Sequence, residues 1–191
     1  MGVRIRKPMI VETILSTINL EGTDNFAPMG IQTSDDGKVI VRPFRGSRTW
    51  DNLASGDFAA ANITDSALSF VLSVVDPARL RTAQALRAPC SVLEDFCERL
   101  ELKMTERNLD GPRGLCVFSV IHRETGRPFS GFNRARCAIV EALVAATRIS
   151  VNGPAPFEHK YAAAVDLVER TGGPDEEKAL LLLGRWTGGI A

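Results

Sequence analysis

Residues 9–44 read MIVETILSTINLEGTDNFAPMGIQTSDDGKVIVRPF, and the breaks in this stretch decide the fold. Ile, Val and Thr dominate residues 9–19, and Glu21-Gly22-Thr23-Asp24 interrupts the run, as a turn after a strand does. Residues 25–34 form a second strand, closed by the hairpin signal Asp35-Asp36-Gly37. A third covers 38–44 and stops at Pro43, which has no N–H to give a ladder. Working outward, a short helical turn is expected around Trp50–Ala54, closed by Gly56, and a fourth strand over 57–63. Residues 99–107 alternate apolar and polar, and 115–123 are strongly apolar; Asp110-Gly111-Pro112 turns the chain between them. Residues 78–97 fit no single period. Six strands with short turns argue for an antiparallel barrel or sandwich. No G-x-G-x-x-G or Walker-type motif supports a dinucleotide or P-loop fold.

Helical spacing begins after Thr64-Asp65, read as an N-cap, with Leu68, Val71, Leu72 and Val75 recurring until Asp76-Pro77. Beyond residue 129 the pattern is helical throughout. Phe132, Ala135, Ile139, Ala142, Leu143 and Ala146 form one stripe over 131–149. Further helices follow over 157–171 and 175–184, separated by Gly172-Gly173-Pro174. The expected division is 1–129 as the β-domain and 130–191 as a helical appendage packed on it.

Hydrophobic residues make up 45% of the 191 and charged residues 24%, enough apolar content for a real core. Lys+Arg and Asp+Glu number 23 each, so the basic excess of a nucleic-acid binder is absent. No apolar run approaches the ~20 residues of a membrane span. The opening MGVRIRKPMIVETIL is interrupted by Glu12, Thr13 and Ser16 and lacks a small-residue cleavage site, so a cytoplasmic protein is expected. Cys90, Cys97, Cys116 and Cys137 make no C-x-x-C pair and read as free thiols, with no metal expected.

The densest chemistry lies in residues 42–53, RPFRGSRTWDNL. Arg42, Arg45 and Arg48 surround Gly46, Ser47 and Thr49. Guanidinium groups match the geometry of a phosphate with paired donors, and hydroxyls and bare backbone add further donors. The loop therefore suits a phosphorylated small molecule, held by Arg45, Ser47, Arg48 and Thr49 with Arg42 adjoining. Thr49 is also the expected N-cap of the following turn. The competing reading is a solvated loop whose arginines pair with Asp35, Asp36 or Asp51. Upstream, Met29-Gly30-Ile31-Gln32 places a glycine inside a strand, which leaves a flat gap for a ligand or another backbone. Asn62 offers a side-chain amide to a ligand or to a strand end. His122 is a possible proton donor, Trp50 a possible stacking ring, and Glu141 a charge on an apolar helix expected to pair with Arg136 or Arg148.

These pieces, in this order, resemble the FMN-binding split-barrel superfamily. Gly46-Ser47-Arg48-Thr49 is similar to the phosphate-binding turn of pyridoxamine-phosphate oxidases, with Thr49 standing where that family has lysine. Asn52-Leu53, Gly56-x-Phe58 and Asn62 are similar to the flavin-reductase-like branch. Val11-Glu12-Thr13-Ile14, Ala27-Pro28-Met29-Gly30-Ile31, Arg42-Pro43-Phe44, Thr49-Trp50-x-Asn52-Leu53, Asn62-Ile63-Thr64-Asp65, Glu141-Ala142 and Thr147-Arg148 together resemble an uncharacterised family. That family occurs in methanogens and in methylotrophs that use tetrahydromethanopterin. The resemblance implies a mainly β fold with a helical appendage (α+β), a six-stranded antiparallel split barrel followed by C-terminal helices. It implies a homodimer with one FMN per subunit near the interface. Met29, Gly30, Ile31 and Gln32 would meet the flavin ring through backbone groups. Ser47, Arg48 and Thr49 would hold the phosphate, with Arg42 and Asn52 close by; Arg45 and Asn62 are added from chemistry and spacing. The expected role is a flavin-dependent oxidoreductase acting on a small-molecule redox substrate, possible links including pterin-dependent one-carbon metabolism. The alternatives are a non-catalytic flavin- or deazaflavin-binding module, or an interaction protein.

Overall fold

The structure is a computed structural model that describes residues 9–188; the basic start of the N-terminal segment, residues 1–8, lies outside the described residues. Strands β1 (Ile10–Ile18), β2 (Asp24–Thr33), β3 (Val39–Val41), β4 (Phe58–Ile63), β5 (Thr82–Gln84), β6 (Ser91–Leu93), β7 (Glu98–Asn108) and β8 (Leu115–Thr125) alternate with helices in two blocks. Helix α1 (Arg48–Ser55) precedes β4, and α2 (Ala67–Val75) and the 3-10 turn Pro77–Arg79 precede β5. Helices α3 (Arg134–Ala146), α4 (Ile149–Asn152), α5 (Ala155–Thr171) and α6 (Pro174–Gly188) close the chain.

Six strands form a closed antiparallel barrel in the order β1-β2-β3-β8-β7-β4, the architecture expected from the sequence. Inward positions follow the period of two that the pleat imposes: Val39 and Val41, Ala59 and Ala61, Leu100 and Leu102, Cys116 and Phe118. With Leu15, Ile31 and Leu53 they make one apolar core. Each fully buried aliphatic or aromatic side chain there stabilises the barrel by about 1.5–3 kcal/mol.

The ambiguous stretch 78–97 contains a small second sheet, β5 paired with β6. Its strands are three residues long, too short for a period to show. The segment is fastened to the barrel by side chains. Leu86, Arg87 and Ala88 donate backbone N–H bonds to the fully buried Glu101 carboxylate at 2.9, 2.6 and 2.7 Å. Ser91 N–H donates to Asp24 at 2.9 Å, and Leu93 N–H to the Asn62 carbonyl oxygen at 2.9 Å. Ala85, Ala88, Cys90 and Val92 then pack on Ala60, Ile18 and Phe58.

By contacts the chain forms two units. One is the chain up to Ile63 with Thr82–Gly126; the other is Thr64–Arg81 with the chain from Arg127 on. Beside the division expected at 129/130, Thr64–Arg81 with α2 groups with the later helices, and the later unit resumes at Arg127. The reason is burial. Ala67, Phe70, Val71, Leu72 and Ser73 of α2 are all buried, and α2 packs with α3 and α6. The cap of α2 is Ser66, not Thr64-Asp65; its hydroxyl accepts the Ser69 N–H at 3.1 Å. Asp65 instead meets Arg127 at 2.5 Å, the Ser130 N–H at 2.8 Å and Arg136 at 3.5 Å. Arg136 also reaches Glu176 at 2.8 Å. Glu141 pairs with Lys160 of α5 rather than with Arg136 or Arg148, because helix α5 lies along α3 and brings that lysine to it.

Candidate cofactor site

Strand β2 is long and its pairing is one-sided. Against β1 it pairs from Asp24 to Gln32, but against β3 only from Ile31 to Thr33. Among the described residues, the backbone of Asn25–Gly30 therefore has no strand partner on the side away from β1. At ~3.4 Å per residue this open edge is roughly 20 Å long. Pro28 sits within it and needs no N–H partner. At Gly30 an added Cβ would stand 2.6 Å from Ile10 Cγ2 and 3.5 Å from Glu12 Oε1, so a side chain there would force the Ile10 side chain aside. Thr13, fully buried, donates its hydroxyl to the Met29 carbonyl at 2.9 Å and fixes the strand from below.

Helix α1 meets the other end of that edge. Its cap is Ser47, not Thr49: the Ser47 hydroxyl donates to the Phe44 carbonyl at 2.8 Å and accepts the Trp50 N–H at 3.2 Å. Gly46, at φ +80°, makes the turn that allows this. Thr49 is buried at 2% exposure and accepts the Asn25 side-chain amide at 3.2 Å, because the register of α1 turns this position inward. Asn25 and Asn52 also donate to Thr17, at 3.4 and 3.0 Å, so a polar seam ties α1 to β1 and β2. The backbone N–H groups of Arg48 and Thr49 face no acceptor among the described residues, as the first groups of a helix do not. The Arg48 side chain is exposed and unpaired there. An open cleft of about 630 Å³ runs between the Asn19–Asn25 turn and Arg48, Asp51, Asn52 and Ser55 of α1.

The structure distributes the remaining candidates differently. Arg45 is committed to the β7–β8 turn: its Nε donates to the Gly111 carbonyl at 2.9 Å, and its guanidinium lies 5.4 Å from the centre of the Trp50 ring. Arg42 is exposed on the outward side of the chain leaving β3. The Ile31 side chain is in the barrel core, leaving only its backbone outward. Met29 and Gln32 are half-buried. Asn62 is fully buried with every polar atom spent: it donates to the Ile14 carbonyl at 2.8 Å and the Ser16 hydroxyl at 2.9 Å, and accepts from Leu93. Its role is to tie β1, β4 and β6. His122 stands across from Glu101 on β8. Burial pushes the Cys90 thiol up to about 12 and the Cys116 thiol up to about 11, so both stay protonated near neutral pH.

Asn25 is the residue that sequence reading missed. Its signal was present: it stands second in a strand beside a polar turn, opposite Thr17, and its amide carries two donors and an acceptor to be matched.

This barrel is the fold of the FMN-binding split-barrel proteins. An FMN-bound protein, MM1853, from Methanosarcina mazei superposes with a TM-score of 0.80 at 23% identity, over 94% of this chain and 95% of that one. An FMN-binding protein from Thermus thermophilus gives 0.53 at 18% identity, over 66% and 80%. The NADH:FAD oxidoreductase SgcE6 of Streptomyces globisporus gives 0.54 at 7%, over 61% and 71%. The family is narrower than the fold. Residues 11–127 match the model "Protein of unknown function (DUF447) N-terminal domain" and residues 133–185 match "Protein of unknown function (DUF447)". The chain belongs to the DUF447 family.

Proposed function

We propose that the chain binds FMN along the open edge of β2, as a homodimer with the cofactor near the interface, and acts as a flavin-dependent oxidoreductase on a small-molecule redox partner. A reduced pterin is one such partner that the family resemblance suggests. One observation carries the reading: a bare strand edge of roughly 20 Å ends at the free N–H groups of α1 and the unpaired Arg48. That arrangement suits a ring at the Met29–Gln32 end and a phosphate at the Arg48–Thr49 end, where helix N–H groups favour an anion. The FMN bound by the Methanosarcina relative supports FMN as the ligand. Bound FMN would supply hydride or electron transfer, and the protein would supply position and electrostatics. Asn52 and Asn25 would brace the phosphate turn, while Arg45 and Asn62 hold the barrel together.

The test compares FMN with riboflavin, which lacks the phosphate. Arg48→Ala is expected to weaken FMN by about 1.5–3 kcal/mol, the worth of a charge-assisted hydrogen bond, and to leave riboflavin nearly unchanged. Equal losses for both ligands would place the phosphate elsewhere. Sedimentation equilibrium should give twice the chain mass; a monomer with full FMN occupancy would remove the dimer from the proposal. A flavin-binding module without turnover is favoured by one observation. The edge Asn25–Gly30 carries no ionisable side chain to move a proton; the acids of the neighbouring cleft are Glu21, Asp24 and Asp51. Catalytic reduction by NADH or NADPH with turnover on an acceptor decides against that module.

A further inference from the structure

At the same end of the barrel a second basic feature lies apart from the cleft. Phe44 and Arg113 form an isolated antiparallel bridge, continuing the β3–β8 register in which Val41 faces Cys116. Counting from Val41, position 42 faces 115, so Arg42 is diagonal to Arg113, a separation of about 7–8 Å. Pro43 is buried between exposed Arg42 and exposed Phe44, which puts Arg42, Phe44 and Arg113 on one outward face. The Arg113 guanidinium lies 4.0 Å from the Phe44 ring centre, and Phe44 is 45% exposed. Neither arginine meets a carboxylate among the described residues. Glu106 pairs with Lys38 at 3.7 Å and Asp57 with Arg107 at 2.6 Å, and Asp110 on the β7–β8 turn forms no ion pair with either arginine. The cleft at α1 takes Arg48 and not Arg42. Two arginines rooted about one strand diagonal apart on one face, beside an exposed ring, suit a group with two negative charges next to a planar system.

We propose that Arg42 and Arg113, with Phe44 between them, form a second anion site that takes the dianionic end of the redox substrate, a phosphate or a pair of carboxylates. The word substrate rests on the oxidoreductase reading; the anion site itself does not. Two probe pairs separate the two sources of charge. NADP+ differs from NAD+ by one phosphate, and folate triglutamate differs from folate by added carboxylates. Binding of each probe to the FMN-treated protein is measured by calorimetry, with FMN content read from absorbance beforehand. The more charged member of one pair is expected to bind about tenfold more tightly. Arg113→Ala should remove most of that preference while leaving FMN content unchanged, and Arg42→Ala should remove it as well. Indifference to the added charge in both pairs, or a preference that survives both substitutions, overturns the site. If the preference and its loss are seen in protein that takes up no FMN, the anion site stands and the FMN reading falls.

Discussion

Glu101 shows how much one side chain can organise. It is fully buried, where desolvation alone would raise its pKa. The three N–H groups of Ala88, Leu86 and Arg87 outweigh that, with His122 adding to them, and hold it below the ordinary carboxylate value. A lowered carboxylate pKa contributes stability that is present above the unfolded value and lost as pH falls through the folded one. The loss therefore belongs below about pH 4.5, the ordinary value for Glu. Glu101→Gln keeps the shape but replaces one acceptor oxygen with a donor, leaving buried N–H groups unmatched at about 1–3 kcal/mol. Thermal unfolding at pH 7 should show that loss. The difference from the parent protein should shrink as the pH is taken toward 3. An unchanged melting temperature at pH 7 would mean the 86–88 segment is held by its alanine packing alone.

At the scale of elements, the junction of α2, the 127–133 segment, α3 and α6 is an ion network around two acids. Burial opposes the charge on Asp65, yet Arg127 and the Ser130 hydroxyl and N–H bring it far below the usual carboxylate range. Glu176 is lowered too, against burial, by Arg136 and the Gly173 N–H. Both contribute above their unfolded values and lose that contribution in acid. Asp65→Asn should raise amide hydrogen exchange across 127–136 at neutral pH and leave β1–β4 exchange unchanged. Exchange rising equally in β1–β4 would contradict a local role. The turn at Gly46–Thr49 teaches a related lesson. A Ser-x-Thr pattern read on the chain suggests that both hydroxyls face outward. Once the turn closes, Ser47 caps α1 and Thr49 points inward, since residues two apart on a helix lie on different faces.

At the scale of the molecule, the placement of α2 changes what truncation means. Removing residues 130–191 takes away the α3 and α6 on which α2 buries Phe70, Val71 and Leu72. The shortened chain is expected to bind a hydrophobic dye and to aggregate, even if the six strands remain. Truncated protein that stays monomeric and binds no dye would show α2 finds cover elsewhere.

The sequence by itself determined the six strands and their order of occurrence, because alternation and the turn residues Gly22, Gly37 and Gly111 are local signals. It also marked the segments around the candidate site, since arginine, serine and glycine in one turn have a chemistry that does not wait for the fold. It could not say which of those side chains are free. Arg45 is used by carbonyls 64 and 66 residues away, at Leu109 and Gly111, and Asn62 by Ile14, Ser16 and Leu93. Nor could it show the bare edge of β2, which exists because β3 is only three residues long and reaches only Ile31–Thr33. A hydrogen bond between distant residues leaves no period in the chain. Which donors remain for a ligand is therefore decided only when the barrel closes.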